Sequence, residues 1–188
     1  ISYAQWIITC YVLSTACVIP ICSWGVKKYG DKNIWLLGLF FFMIGSFFCA
    51  LANNLEFLIF SRILQGIGSG MLLPVMQTII TNNIHPDKVK LAFAAISVPA
   101  VIVPIIGPII GGLIMAYLGW RWLFLINMPL SCYAINIAYQ NLNTGPKLHS
   151  IRFDIIGFLL LSPALLFLIY GLTHFEYQSH AANFAHIA

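Results

Sequence analysis

The stretch from Ala100 to Ala116 reads AVIVPIIGPIIGGLIMA and lies inside an apolar run long enough to cross a bilayer. At an interior position of a soluble helix, a glycine costs about 1 kcal/mol and a proline about 3 kcal/mol relative to alanine. In a membrane bundle the same residues are useful, because small residues let helix backbones approach closely and a proline bends the helix. The stretch therefore predicts a membrane helix that packs tightly on a neighbour and bends at Pro108.

The composition of the whole chain also indicates a bilayer environment. Of the 188 residues, 61% are hydrophobic and only 7% are charged, whereas a typical soluble domain is about one quarter charged. No C-x-x-C pair is present, so we interpret the cysteines as packed or lipid-facing thiols rather than as disulfide partners or metal ligands. The cysteines, all within or at the ends of apolar runs, are Cys10, Cys17, Cys22, Cys49 and Cys132.

Six apolar runs are long enough to span the hydrocarbon core, which takes about 20 residues of helix. We label them spans A to F, at about 3–24, 34–53, 56–81, 91–118, 122–140 and 155–174. The connections between them are short, except for a polar stretch between spans E and F. The chain is therefore predicted to be an all-α membrane protein, a polytopic bundle of six transmembrane helices.

Basic residues are concentrated in alternate connections. Seven lie in the A–B, C–D and E–F connections, against Arg121 alone in the opposite ones. Because basic residues near span ends accumulate on the cytoplasmic side, residues 25–33, 82–90 and 141–154 are predicted to be cytoplasmic. The seven residues are Lys27, Lys28, Lys32, Lys88, Lys90, Lys147 and Arg152.

This topology explains the net charge of +4 without a nucleic-acid partner. It also places both ends of the chain on the outer side of the membrane. We therefore expect another span before Ile1, and we expect the chain to be a fragment of a longer protein.

Arg62 is the only charged residue well inside a span, about two turns from the outer end of span C. An intramembrane charge costs from roughly 3 to over 10 kcal/mol, so it normally faces the bundle interior and has a partner. Gln65, Gly66 and Gly70 follow on the same helical face, so we expect this face to pack against another helix. The alternative is an arginine that snorkels to the outer headgroups.

The spans contain no carboxylate or histidine away from their ends, and so no side chain of the usual proton-carrying types. The spans also lack a Ser–His pair and paired carboxylates, and the sequence contains no H-E-x-x-H motif and no phosphate-binding glycine loop. The sequence therefore predicts a protein that is not an enzyme and that needs no cofactor or metal.

Four stretches resemble motifs of one family, the major facilitator superfamily. R-I-L-Q-G-I-G-S-G at 62–70 resembles the R-x-x-Q-G-x-G-x-G motif of its fourth helix, and G-P-x-x-G-G at 107–112 resembles the antiporter motif of its fifth. W-R-W-L-F-L-I-N-M-P at 120–129 resembles the start of the sixth helix in EmrB/QacA-type fourteen-helix drug–proton antiporters. F-D-I-I-G at 153–157 resembles the entry to the extra helix of that branch.

The resemblance implies that spans A to F are helices two to seven of fourteen in a major facilitator fold. It divides the chain into a transporter bundle lacking its first helix at 1–140, a cytoplasmic linker at 141–154, an extra transmembrane helix at 155–174 and an outer-side tail at 175–188.

The function implied is multidrug efflux by a proton-coupled secondary active transporter of the inner membrane, working by alternating access. The expected partners are a small lipophilic or cationic drug, protons, the lipid bilayer and a periplasmic adaptor protein. Two alternatives stay open: a facilitator of another small solute, and a non-transporting membrane scaffold or partner protein.

The resemblance also implies roles for three groups of residues. The face of span C that begins at Arg62 is expected to line the substrate cavity and couple protons, because a fixed positive charge favours the ionised form of a nearby carboxylate. The glycine face of span D is expected to act as hinge and seal, and the A–B connection as a cytoplasmic gating loop. In that connection Lys27 stands where the family's loop motif carries an acidic residue. The groups are Arg62, Gln65, Gly66 and Gly70; Gly107, Pro108, Gly111 and Gly112; and Lys27, Lys28, Gly30 and Asp31.

Overall fold

The computed structural model describes residues 3–142 and, beyond them, residues 153–155, 157–160, 163–164, 167 and 171. Residues 3–142 form helices α1 (Tyr3–Tyr29), α2 (Asp31–Leu51), α3 (Leu55–Asn83), α4 (Pro86–Tyr117), α5 (Trp122–Leu125) and α6 (Asn127–Asn141). Within the described residues there is no β-strand, and the prediction of an all-α bundle is confirmed.

Five segments of the described chain are long and apolar enough to cross a membrane, and they match spans A to E. They are Gln5–Tyr29, Asp31–Leu51, Leu55–Asn83, Pro86–Tyr117 and Trp122–Asn141. Most of span F and of the linker at 141–154, together with Lys147 and the whole tail at 175–188, lies outside the described residues.

The beginning of the predicted span F is described. The backbone N–H of Gly157 donates to Asp154 Oδ1 over 2.9 Å. The Phe153 ring lies 5.3 Å from the Trp24 ring, edge to face. This contact places the start of span F beside the last two turns of α1.

The prediction of a loop at 25–33 is wrong. Helix α1 continues to Tyr29 and α2 begins at Asp31, so only Gly30 separates them. Gly30 has a φ of 89°, a conformation that glycine adopts without steric cost. Lys27 and Lys28 lie in the last turn of α1, where positive charge is stabilised by the helix dipole.

The predicted loop at 82–90 is also much shorter than expected. Helix α3 ends at Asn83 and α4 begins at Pro86. Proline is well suited to the first position of a helix. Lys88 and Lys90 therefore lie on the first two turns of α4 rather than in a loop.

Helix α3 packs between α1 and α2, and its glycines make both contacts possible. A Cβ atom on Gly66 would lie 2.6 Å from the Tyr11 carbonyl oxygen of α1, and one on Gly70 would lie 2.6 Å from the Thr15 carbonyl oxygen. On the other side, a Cβ atom on Gly68 would lie 2.7 Å from the Gly38 carbonyl oxygen of α2. Small residues thus allow close backbone approach on both sides of α3, which confirms that the Gly66–Gly70 face packs against a helix.

Helix α4 stands apart from this three-helix core. It has no buried residue, and among the described helices it contacts α3 and α5 only. A Cβ atom on Gly107 or Gly112 would have no neighbour within 4 Å, and one on Gly111 would meet only the Leu123 side chain at 3.9 Å. Among the described residues nothing packs closely on this glycine face, so its tight packing against a neighbouring helix stays a prediction.

Candidate functional site

Arg62 is placed two turns inside α3 by a defined helix start. The Asn54 side chain accepts a 2.9 Å hydrogen bond from the Phe57 backbone N–H, an arrangement that satisfies one of the free donors of the first turn. Arg62 is half-buried. Its predicted position, about two turns inside the helix, is confirmed.

A chain of hydrogen bonds connects Arg62 to α2. Arg62 Nη1 donates to Gln65 Oε1 over 3.1 Å, and Gln65 Nε2 donates to Ser46 Oγ over 2.7 Å. Gln65 is 3% exposed and Ser46 is fully buried. In this buried setting hydrogen bonds are strengthened and an unpaired group is costly, so the chain fixes the carboxamide with its oxygen toward Arg62.

The guanidinium of Arg62 also lies between two aromatic rings. Its Cζ atom is 4.6 Å from the centre of the Phe124 ring of α5 and 5.6 Å from that of the Tyr11 ring of α1. Both distances are within the range of cation–π attraction. Arg62 therefore contacts side chains from α1 and α5 and, through Gln65, from α2.

This geometry favours a packed arginine over a snorkelling one. The side chain bonds to Gln65, one turn further into α3, whereas snorkelling would extend it toward the start of the helix. Arg62 Nε is buried and has no hydrogen-bond partner among the described residues. An unpaired buried donor costs about 1–3 kcal/mol, and more when the group is charged, so a further acceptor at this position would be strongly favoured.

Two residues of α2 that support the site were missed by the sequence analysis. A Cβ atom on Gly45 would lie 2.5 Å from the Gln65 backbone nitrogen, so glycine lets α2 approach this point of α3. Ser46 supplies the acceptor for Gln65. One signal could have found it, because Ser46 carries the only hydroxyl group in α2.

The predicted gating group, which lies at the junction of α1 and α2, consists of Lys27, Lys28, Gly30 and Asp31. Asp31 is 2% exposed, and its Oδ1 accepts a 2.8 Å bond from the Lys32 backbone N–H. Lys28 Nζ lies 4.6 Å from the centre of the Trp24 ring, and Lys27 is exposed. These residues lie at the other end of the helices from Arg62 and do not contact it.

Arg121 links the α2–α3 and α4–α5 turns of the chain. Its Nη2 donates to the Ala52 carbonyl oxygen and to Asn53 Oδ1, both over 3.1 Å. The guanidinium also lies 4.7 Å from the centre of the Trp120 ring. From the sequence alone, Arg121 served only as a topology marker, and this contact was not predicted.

An apolar cavity of about 450 Å³ lies away from Arg62, between α2, α3, α4 and α6. Its lining includes Trp35, Ile79, Ile96, Tyr133 and Ile137. Within the part of the chain that the structure describes, no group of three metal-ligating side chains is present. The cavity can accommodate an apolar group.

A comparison of the sequence with models of known protein families identifies the family of the chain. The family model described as Major Facilitator Superfamily matches residues 1–175. The chain belongs to the Major Facilitator Superfamily. This membership confirms the resemblance inferred from the sequence, and with the five apolar helices it identifies the chain as a multi-pass membrane protein.

Several similar members of the superfamily carry names that refer to drug resistance or export. The chain is 35% identical over 168 residues to the Multidrug resistance protein B homolog of Mycobacterium tuberculosis, which covers 89% of this chain and 31% of that protein. It is 35% identical over 163 residues to the putative multidrug resistance protein MdtD of an Enterobacter species, covering 87% and 34%. It is 36% identical over 143 residues to the multidrug export protein EmrB of Haemophilus influenzae, covering 76% and 28%.

The chain spans about one third of the length of these superfamily members. The Arg62 face and the α3 glycines lie inside the matched region. The structure brings Arg62, Gln65, Gly66 and Gly70 together in the α1–α2–α3 core and leaves the α4 glycines outside it.

Proposed function

We propose that the chain is part of a proton-coupled secondary active transporter that exports drugs or other lipophilic small molecules across the inner membrane by alternating access. Superfamily membership and the names of the relatives, which refer to multidrug resistance and export, favour this proposal over solute import or a scaffold role. The observation that carries it is Arg62, a charge held inside an apolar bundle by Gln65 and two rings. We propose transport without catalysis.

In this mechanism Arg62 is a fixed positive charge that favours the ionised form of a carboxylate placed near it. Its buried Nε, which lacks a partner among the described residues, offers the donor for that carboxylate. No carboxylate lies in the middle of these spans, so the proton-carrying group comes from another part of the full-length protein. Protonation of that group would weaken its bond to Arg62 and release the site for the conformational change.

The glycine face of α4 serves as hinge and seal in this proposal. Gly107 and Gly112 have open space beside them, which a helix from the rest of the protein can approach closely. Pro108 removes one backbone hydrogen bond and so allows bending. The α1–α2 junction, with Lys27, Lys28, Gly30 and Asp31, forms the cytoplasmic gate.

The surroundings of the transporter follow from the same proposal. The α1–α2 and α3–α4 connections and the linker at 141–154 lie on the cytoplasmic side, as the basic residues indicate. The bundle at 1–140 and the extra helix at 155–174 are embedded in the bilayer. On the outer side a periplasmic adaptor receives the exported compound, and apolar walls such as those around Trp35 suit a lipophilic or cationic substrate.

The test is efflux of a lipophilic cationic dye from cells that lack their own exporters and express the full-length protein. We expect cells with the protein to expel the dye faster than cells with the empty vector, and we expect a protonophore to abolish the difference. Equal retention in both cells would contradict export. Efflux that persists after the proton gradient has collapsed would contradict proton coupling.

A further inference from the structure

A row of stacked side chains leads from the outer turn of the protein to Arg62. The Arg121 guanidinium lies 4.7 Å from the centre of the Trp120 ring, and the Trp120 ring lies 6.1 Å from the Phe124 ring, edge to face. The Phe124 ring lies 4.6 Å from the Arg62 guanidinium, whose other neighbour is Tyr11. We call Arg121, Trp120, Phe124, Arg62 and Tyr11 the stacked row.

The outer end of the stacked row is anchored to backbone. Arg121 bonds to the Ala52 carbonyl oxygen and to Asn53, which belong to the connection between α2 and α3. Gly119, at the tip of the α4–α5 connection, has a φ of 88°, so this turn depends on glycine. A displacement of one outer turn relative to the other must therefore break the Arg121 bonds or move the stacked row.

The inner end of the stacked row is held by packing. Phe124 is 8% exposed and packs against Cys49 and Ala50 of α2, with Leu58 of α3 beside them. Its ring cannot turn away from Arg62 without leaving this cluster. Cation–π attraction holds only at close range over the ring face, so any shift of α5 that moves the ring also changes the environment of Arg62.

We propose that Phe124 is a positioning residue that makes the placement of Arg62 depend on the contact between the two outer turns. When the α4–α5 turn separates from the α2–α3 turn, Phe124 moves with α5 and Arg62 loses one of its two rings. This inference rests on the proposed function, in which opening and closing of the outer side alternates with proton binding. It adds a mechanical connection between the outer closure and the coupling charge.

Two titratable side chains border Arg62 among the described residues, Tyr11 on α1 and Cys49 on α2. Gln65 on the same helix is neutral, and Phe124 on α5 carries no charge. A change at Phe124 therefore alters the position of Arg62 without introducing or removing a charge. Substitutions at Phe124 can test the effect of the position of Arg62 separately from the effect of its charge.

The first experiment measures thermal unfolding of the purified full-length protein and does not depend on transport. Arg62→Gln and Arg121→Gln are made singly and together, with Phe124 present and with Phe124→Leu. Distant, unconnected sites normally give additive effects. In the protein that keeps Phe124, we expect the melting-temperature shifts of Arg62→Gln and Arg121→Gln to be non-additive. In the Phe124→Leu background we expect the same two shifts to be additive. Additivity in both backgrounds, or non-additivity in both, would overturn the proposal.

Two further variants keep this experiment decisive. Trp122 lies on the same short helix but is 48% exposed, so Trp122→Leu in place of Phe124→Leu should leave the non-additivity intact. If Phe124→Leu does not fold, Phe124→Met removes the ring with a more flexible apolar side chain. Loss of non-additivity in Trp122→Leu would also count against the proposal.

The second experiment measures dye efflux at matched membrane levels. We expect Phe124→Leu to lower the maximal rate about fivefold, the loss of one cation–π contact, with an unchanged dye concentration at half-maximal rate. Phe124→Tyr keeps a ring and should restore the rate. A higher half-maximal concentration in Phe124→Leu would overturn the positioning role. Absence of efflux in the wild type would refute the proposed function. The unfolding experiment would still test whether Phe124 connects Arg121 to Arg62.

Discussion

Gln65 on α3 donates a 2.7 Å hydrogen bond to the hydroxyl of Ser46 on α2. Because this bond occupies the amide nitrogen, the carboxamide oxygen faces Arg62 and accepts its hydrogen bond. The orientation of Arg62, the only charge well away from the ends of the described spans, thus depends on a serine of a neighbouring helix. This dependence can be measured.

Ser46→Ala should lower the free energy of unfolding by about 1–3 kcal/mol, because it leaves the buried Gln65 amide without an acceptor. Ser97 provides a matched control, since it is exposed on α4 and its hydroxyl donates only to the Phe93 carbonyl oxygen of its own helix. Ser97→Ala should change stability by less than about 0.5 kcal/mol. Equal effects of the two substitutions in a thermal unfolding assay would show that the Ser46–Gln65 bond contributes nothing.

Gly66→Ala should destabilise the protein by more than about 1 kcal/mol, because the added methyl group would lie 2.6 Å from the Tyr11 carbonyl oxygen. Gly25→Ala adds the same group to α1, where the nearest atom is Cδ1 of the flexible Ile34 side chain at 3.1 Å, and should cost less. Melting temperatures of the two purified variants provide the comparison. A Gly66→Ala protein as stable as the wild type would disprove the close α1–α3 packing.

Gly111→Leu should block export while leaving membrane insertion intact. The nearest atom beside Gly111 is Leu123 Cδ2 at 3.9 Å, so the described helices have room for the larger side chain. The proposed seal against the rest of the protein has no room for the leucine side chain. Ala100→Leu, at an exposed position of the same helix, is the control and should retain efflux. Normal efflux in Gly111→Leu would mean that this face meets lipid.

Lys27 and Lys88 should lie on the cytoplasmic side, together with Lys147, which lies outside the described residues. In a background without the five native cysteines, a cysteine at position 27, 88 or 147 should resist membrane-impermeant thiol reagents in intact cells. A cysteine at position 53, in the opposite turn, should react and so serves as the positive control. Rapid labelling at position 88 with none at position 53 would reverse the proposed topology.

The sequence was informative where a residue was rare in its context. Arg62 stands out because a charge in an apolar span is costly, and its glycine face on α3 packs as predicted. Phe124 was missed because it does not stand out in an apolar helix. Ser46 carries the only hydroxyl group of α2, but its role depends on which neighbour it meets. The glycines of α4 indicated a face able to pack closely, but the pattern cannot say which helix fills it. The predicted loop boundaries around Lys27 and Lys88 were wrong, because lysines near helix ends are compatible with continued helix.

The coupling role of Arg62 is the central claim, and one measurement tests it most directly. Dye efflux from cells or vesicles is driven by an imposed pH gradient, with wild-type protein, Arg62→Lys and Arg62→Ala at matched membrane levels. If Arg62 acts through its charge, Arg62→Lys should keep partial gradient-driven efflux and Arg62→Ala should lose it. Wild-type efflux in Arg62→Ala would contradict the coupling role and would leave the fold assignment intact.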